Sequence, residues 1–269
     1  MGSEMCIRDS IGPRINAGGR VGKCSHGANL LLNKDPKNSY KIASELDQYN
    51  KERQMLEKDL LEKISNVVKN FLGDPVLIIS GQNWHEGVIG IVASRLKDKF
   101  NKPVIIISLE GDKGKGSARS INGFDIGSAI IAAAQEKILI KGGGHKMAGG
   151  FSIEAHNIDK FKNFIFRKFK NINEDLSTKR PLLLDSIISP SAVNLDFYNK
   201  VSLLSPFGSG NPEPKFIIND LKTINGKIVG EKHIKSVLIG MDGSIIKSIA
   251  FNAVDLSLIH ISEPTRRYS

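Results

Sequence analysis

Between positions 42 and 71 apolar residues recur three or four apart, as Ile42, Leu46, Tyr49, Leu56, Leu60, Ile64, Val67 and Phe71, with glutamates and lysines between them. That period predicts a long amphipathic helical tract whose stripe packs on a partner surface and carries no chemistry of its own. Asp35-Pro36 supplies a cap and a first-turn proline ahead of it, and Ser25 can cap a shorter helix carrying Leu30, Leu31 and Leu32. From Pro75 the texture alternates. Segments 76–79, 104–107 and 116–120 read as short strands, 86–100, 126–134 and 158–169 as helices, and a Gly-rich loop opens onto Phe151-Ser152-Ile153. In the last helix Phe161, Phe164, Ile165 and Phe169 fall at core spacing. The expected unit is an α/β layer domain with loops gathered at strand ends, where ligand sites sit. Residues 171–180 are polar and read as a linker. Beyond them a strand (182–188) and a helix (191–204) precede Pro206-Phe207-Gly208-Ser209-Gly210-Asn211-Pro212-Glu213-Pro214, which breaks regular structure. Strands at 216–218, 222–229, 233–240 and 244–251, separated by Asn-Gly and Asp-Gly turns, predict a small β-barrel.

Both ends read as foreign. Cys6-Ile7-Arg8-Asp9-Ser10 and Leu256-Ser257-Leu258-Ile259-His260 can be encoded by the two strands of one duplex, inverted at the two ends, and that duplex resembles the transposon-end adaptor of sequencing libraries. The expectation is that 1–10 and 256–269 are adaptor-derived scars and that the natural protein is a fragment, open at both ends. Excluding them removes Arg8, Arg266 and Arg267 but also Glu4, Asp9 and Glu263, so the net charge of +10 stands. A balance that basic favours a polyanionic partner. With Cys6 in the scar, Cys24 has no internal disulfide partner and no metal-type spacing, so a reducing cytoplasm is the expected setting. No apolar run is long enough to span a bilayer, and no membrane role is expected.

The run Lys141-Gly142-Gly143-Gly144-His145-Lys146-Met147-Ala148-Gly149-Gly150 strips the backbone around one imidazole and one ammonium. Such a run is expected to reach positive φ and to turn its N–H groups on an anion, with His145 and Lys146 as added donors; a Gly-rich surface turn is the plain alternative. Gly116-Ser117-Ala118-Arg119-Ser120 places a hydroxyl and a guanidinium on one side of a strand, where a phosphate could take a forked donor, or where a strand edge and an ion pair suffice. It is not a phosphate-binding Walker loop, since Ser117 stands where the lysine belongs. Arg14 behind Gly12-Pro13 offers a fixed guanidinium, or a cap or ion pair; Arg20 after Gly18-Gly19 is a weaker version. His85, at a predicted helix start, reads best as a cap. No Asp-rich or Asp-His-His cluster of the kind that holds two metal ions is present.

These segments, together with Gly12-Pro13-Arg14-Ile15-Asn16-Ala17-Gly18-Gly19-Arg20, Trp84 to Arg95, Pro206 to Pro214 and Gly230-Glu231-Lys232-His233-Ile234-Lys235, resemble in order the RecJ-type single-stranded-DNA-specific exonucleases. The resemblance covers essentially all of 11–255. It implies the end of a DHH catalytic domain (11–34), connecting helices (35–72), a DHHA1-type mixed-sheet substrate-binding domain (73–172) and an OB-like nucleic-acid-binding barrel (181–255). It further implies a metal-dependent 5′-to-3′ exonuclease of DNA repair and recombination, using manganese or magnesium bound by residues not present here, so that this part alone is expected to be inactive. Single-stranded DNA is the implied partner, with a helicase or single-strand-binding protein as a further candidate. By the same resemblance Arg14, Ser117 and Arg119 would hold DNA phosphates, and His145, the catalytic candidate, would close over the nucleotide with Gly143, Gly144 and Lys146. Lys227, Lys232, His233 and Lys235 would guide the strand on the barrel. A short-oligonucleotide or cyclic-dinucleotide phosphodiesterase and a non-catalytic single-strand-binding module are the alternatives.

Overall fold

The computed structural model describes residues 10–170, 183–208, 210–231, 233–251 and 253–254; Lys232 and the 171–180 linker lie outside the described residues. Contacts divide the chain into two units, Met1–Arg180 and Pro181–Ser269.

The first unit begins with three helices, α1 (Gly12–Val21), α2 (His26–Leu32) and α3 (Pro36–Val67). Helix α1 was not expected, because its three glycines and Pro13 lower helix propensity. Packing overrides this: Ala17 is fully buried, and a Cβ on Gly18 would press on Lys23 O and Leu46. Asp35 caps α3, accepting from Lys37 N and Asn38 N at 3.2 and 3.3 Å. Ser25 occupies the cap position of α2 but makes no capping hydrogen bond, since its helical φ/ψ of −75°/−16° directs the chain onward instead of turning the hydroxyl back.

The stripe of α3 is wetter than its apolar residues suggest. Leu46, Leu60 and Ile64 are buried, yet so are Asn50 and Glu57. Val67 is exposed and Val68 buried in its place, where the helix tightens into a 3-10 turn (Val68–Phe71). Glu57 accepts from Arg53 Nη1 at 2.9 Å and pairs with Arg95, while Arg53 also donates to Asn50 Oδ1 at 3.0 Å. Glu57→Gln removes the charge that both arginines share, and a loss of about 1–2 kcal/mol in a urea titration is expected.

Strands β1 (Leu77–Gln82), β2 (Val104–Glu110), β3 (Lys113–Arg119), β4 (Lys141–His145) and β5 (Ala148–Glu154) form a sheet of order β1-β2-β3-β5-β4. The β1–β2 pair is parallel, joined through helix α4 (Glu86–Phe100), and the remaining pairs are antiparallel. His85 caps α4, its Nδ1 accepting from Gly87 N at 3.1 Å. Helices α5 (Ile126–Gln135), capped by Asp125, and α6 (Ile158–Lys170) cover one sheet face, where Ile105, Ile107, Ala118, Phe151 and Ile153 meet Ile130, Phe161 and Ile165. On the other face α4 and the end of α3 cover Leu77, Ile79, Val104 and Ile106.

The Gly-rich run is not a loop. It is strand β4 hairpinned to β5, with Lys146 and Met147 at the turn, and none of Gly142, Gly143, Gly144, Gly149 or Gly150 has a positive φ. Glycine serves packing on one side: a Cβ on Gly142 or Gly149 would strike Ile130, and one on Gly144 would strike Ala148 O.

In the second unit β6 (Ser186–Ile188) pairs in parallel with β7 (Phe216–Ile218). Between them lie a 3-10 turn (Pro190–Ala192) and helix α7 (Leu195–Ser202), whose start is delayed to the Asn194 cap, with Asn194 Oδ1 accepting from Phe197 N at 3.0 Å. Strands β8 (Leu221–Val229), β9 (His233–Gly240) and β10 (Ile245–Ala250) form an antiparallel meander. Asp242-Gly243 makes the expected turn, with Gly243 at φ +78°. Asn225-Gly226 does not: it lies inside β8 beside a register shift, and the reversal falls at Gly230 and Glu231, both at positive φ.

Candidate nucleic-acid interface

Residues directly opposite in an antiparallel pair project to the same face. Arg119 stands opposite Ala148, and Ala148 opposite His145, so the guanidinium and the imidazole share one rung across β3, β5 and β4. The next rungs on this face are Ser117–Gly150–Gly143 and Lys115–Ser152–Lys141. The alternate residues Gly116, Ala118, Gly149, Phe151 and Ile153 are buried under α5 and α6. A Cβ on Gly143 would touch nothing, and one on Gly150 only Gly116 O at 3.8 Å. The result is an open floor of small residues with a basic wall.

Arg119 forms that wall. Its Nε donates to Ser94 Oγ at 3.1 Å, and its Nη1 to Ser117 Oγ and Ala118 O at 3.1 and 2.8 Å. Among the described residues its Nη2 donates to no protein acceptor, and it lies where a Cβ on Gly90 would be 2.9 Å away. No carboxylate among them pairs with Arg119. Burial, and after it the nearby Arg20 charge, hold the guanidinium below its ordinary value. Two guanidiniums close enough to feel each other's charge, one half-buried and oriented by hydroxyls and neither in an ion pair among the described residues, form an arrangement able to hold an anion. Arg20 Nη1 donates to Gly87 O at 3.3 Å, and a Cβ on Gly87 would overlap the Arg20 carbonyl, so α1 and α4 meet at glycine. Beside them a cleft of about 640 Å³ is lined by Gly19, Arg20, Trp84, His85, Glu86 and Glu110, among others.

His145 is exposed, and its Nδ1 accepts from Met147 N at 3.2 Å, which leaves the ring proton on Nε2 as a donor. Lys146 sits at the hairpin tip near Asp125, whose carboxyl is held below its ordinary value first by the Ser128 backbone hydrogen bond and, more weakly, by Lys146. Gly144 pairs with the buried Gly149 and so faces away from the groove, so of the two candidate glycines Gly143 is the one on the floor.

Arg14 is engaged elsewhere. Its Nε meets Asp47 Oδ1 at 2.7 Å and its Nη1 donates to Ser10, and among the described residues no hydrogen bond or ion pair joins it to Ser117, Arg119 or His145. Lys51 and then Arg14 hold the Asp47 carboxyl below its ordinary value. Arg20, ranked below Arg14 from sequence, is the guanidinium that accompanies Arg119. Ser94 and Gly90 lie in the Trp84 to Arg95 motif but have no role assigned from sequence; their signal is the Gly87, Gly90, Ser94 spacing of small residues along α4. In the second unit Lys227 stands opposite Lys235 and Lys247 opposite Val237, on the face that also presents His233, its ring 5.3 Å from Phe251.

No three His, Cys, Asp or Glu side chains among the described residues could hold a metal ion. A divalent cation therefore has no fitting donor set in this part of the molecule. Among the same residues no helix is long and apolar enough to cross a membrane.

A five-stranded mixed sheet followed by a small β unit defines a DHHA1-plus-OB architecture: residues 57–171 match the DHHA1 domain and 184–266 the RecJ OB domain. The single-stranded-DNA-specific exonuclease RecJ of Escherichia coli (strain K12) is 33% identical over 263 residues, covering 93% of this chain and 44% of that protein. Its namesake from Bacillus subtilis (strain 168) is 29% identical over 263 residues, covering 94% and 33%. The crystal structure of RecJ from Thermus thermophilus in complex with Mn2+ superposes with a TM-score of 0.77 at 28% identity, over 96% of this chain and 37% of that one. The chain belongs to the RecJ family. It spans less than half the length of these relatives.

Proposed function

We propose that this chain is the strand-holding part of a single-stranded-DNA exonuclease, and that the groove over β3, β5 and β4 seats a phosphate of the DNA. The observation that carries the reading is the Arg119 guanidinium, oriented by Ser94 and Ser117, with Nη2 open and Arg20 beside it. In this reading Ser117 Oγ and Arg119 bind the 5′ phosphate, Gly143 and Gly150 let the backbone of the strand approach, and His145 donates from Nε2 to the next nucleotide. Lys227, Lys235 and Lys247 track the strand across the second unit, with electrostatics as the main term. The metal ions of the intact enzyme, manganese or magnesium, would be held outside the described residues and would activate water there; no group of donors among the described residues supplies that step. The domain limits 11–34, 35–72, 73–172 and 181–255, cytoplasmic location, 5′-to-3′ polarity and a role in repair and recombination belong to the same proposal. The RecJ OB match favours it over a dinucleotide phosphodiesterase.

Fluorescence anisotropy with a labelled single strand tests it. Affinity should fall at least tenfold between about 50 and about 200 mM salt as counterions are released. Binding that ignores salt, or no binding at all, would refute the reading.

A further inference from the structure

Charge changes along the groove face. At the Arg119 rung two guanidiniums stand without a carboxylate partner among the described residues. Further down β3, Lys115 Nζ is paired with Glu86 Oε2 at 2.6 Å, and Lys113 lies opposite Glu110 on one side and Glu154 on the other. With Lys141 opposite Ser152, the lower end sets Lys113, Lys115 and Lys141 against Glu86, Glu110 and Glu154, which balance. Glu86 and Glu110 also line the cleft of about 640 Å³ that Arg20 borders, so one opening runs from guanidinium to carboxylates. From Arg119 to Lys113 is six residues of strand, about 20 Å at the usual rise, room for more than one phosphate.

We propose that Glu86, supported by Glu110, determines specificity by closing the lower end of the groove to a strand running through it, so that the basic end accepts a chain terminus. The inference rests on the phosphate reading above. A terminal phosphate on Arg119 and Ser117 leaves the carboxylates unapproached. A strand without ends must place a further phosphate beside Glu86 and Glu110, where like charges repel. Glu86 also holds Lys115, which would otherwise extend the basic track downward.

The whole chain is titrated with a short 5′-phosphorylated single strand and with the same strand closed into a circle. Both present similar phosphates to the second unit, so the difference reports on the groove. The unaltered chain should favour the linear strand. Glu86→Gln should bind the circle about fivefold more tightly while linear binding stays within about twofold. Glu110→Gln should shift the circle in the same direction, and it carries the test if Glu86→Gln does not fold by circular dichroism. Circle binding unchanged in the folded variants overturns the inference. Arg119→Ala separates the two levels: if it leaves linear binding intact the phosphate reading itself fails, whereas a loss there with an unmoved circle sinks only the role of Glu86.

Discussion

Arg119→Ala lowers affinity for a 5′-phosphorylated single strand about 30- to 100-fold, and lowers it for the unphosphorylated strand only about threefold. The difference follows from how the guanidinium is held. Ser94 Oγ takes Nε, while Ser117 Oγ and the Ala118 carbonyl take Nη1, so the plane is fixed before any ligand arrives and Nη2 is left to donate. Alanine removes the charge, the free donors and the orientation of Ser117 together. Arg119→Lys should recover little, because an ammonium cannot satisfy Ser94 and Ser117 and still present a fork. The melting temperature should hold in the alanine variant, since the side chain lies near Arg20 and its removal relieves repulsion. Anisotropy on the paired strands, with a thermal melt as control, decides it; equal losses on both strands would mean Arg119 does not read the terminal phosphate.

Gly116→Val should lower stability by about 3 kcal/mol and the melting temperature by about 6–12 °C, whereas Gly143→Ala should leave stability within about 0.5 kcal/mol and weaken strand binding several-fold. The two glycines sit on opposite faces. A Cβ on Gly116 would overlap the Phe151 ring, which cannot retreat because Phe161 packs against it with centroids 4.8 Å apart. A Cβ on Gly143 meets open space on the groove floor. Differential scanning calorimetry and anisotropy together give four readings, and a destabilised Gly143→Ala would place that residue in the core instead.

The period of the apolar residues made the layer architecture legible: helix α4 begins and ends where its spacing predicts, and β9 likewise. What resisted reading were places where one residue type serves two ends. Five glycines around His145 suggest a flexible phosphate loop, yet alternate members are spaces cut for Ile130 and for the neighbouring strand, a distinction that depends on strand parity and on which helix lies above. Helix α1 is hidden because Gly18 packs on Leu46 and Gly22, just past the helix end, packs on Tyr49, partners that only the folded chain brings near. Asn50 and Glu57 look like solvent positions until Arg53 and Arg95 are seen to neutralise and bond them. Arg14 and Arg20 could not be ranked from sequence: one meets Asp47 on α3, the other forms no ion pair among the described residues and donates to the Gly87 carbonyl.

Strand β4 carries no apolar side chain with which to choose its own alignment on β5. A slip by a single residue would swing His145 to the underside of the sheet, away from Arg119. The alignment is instead fastened from outside, by Ile126 N donating to Lys146 O at 3.2 Å and by the bare Cα of Gly127 seated on the His145 backbone. The imidazole is thus aimed by the first turn of a helix that lies on the opposite face of the sheet, and any change that shifts that turn would misdirect the hand without harming a finger.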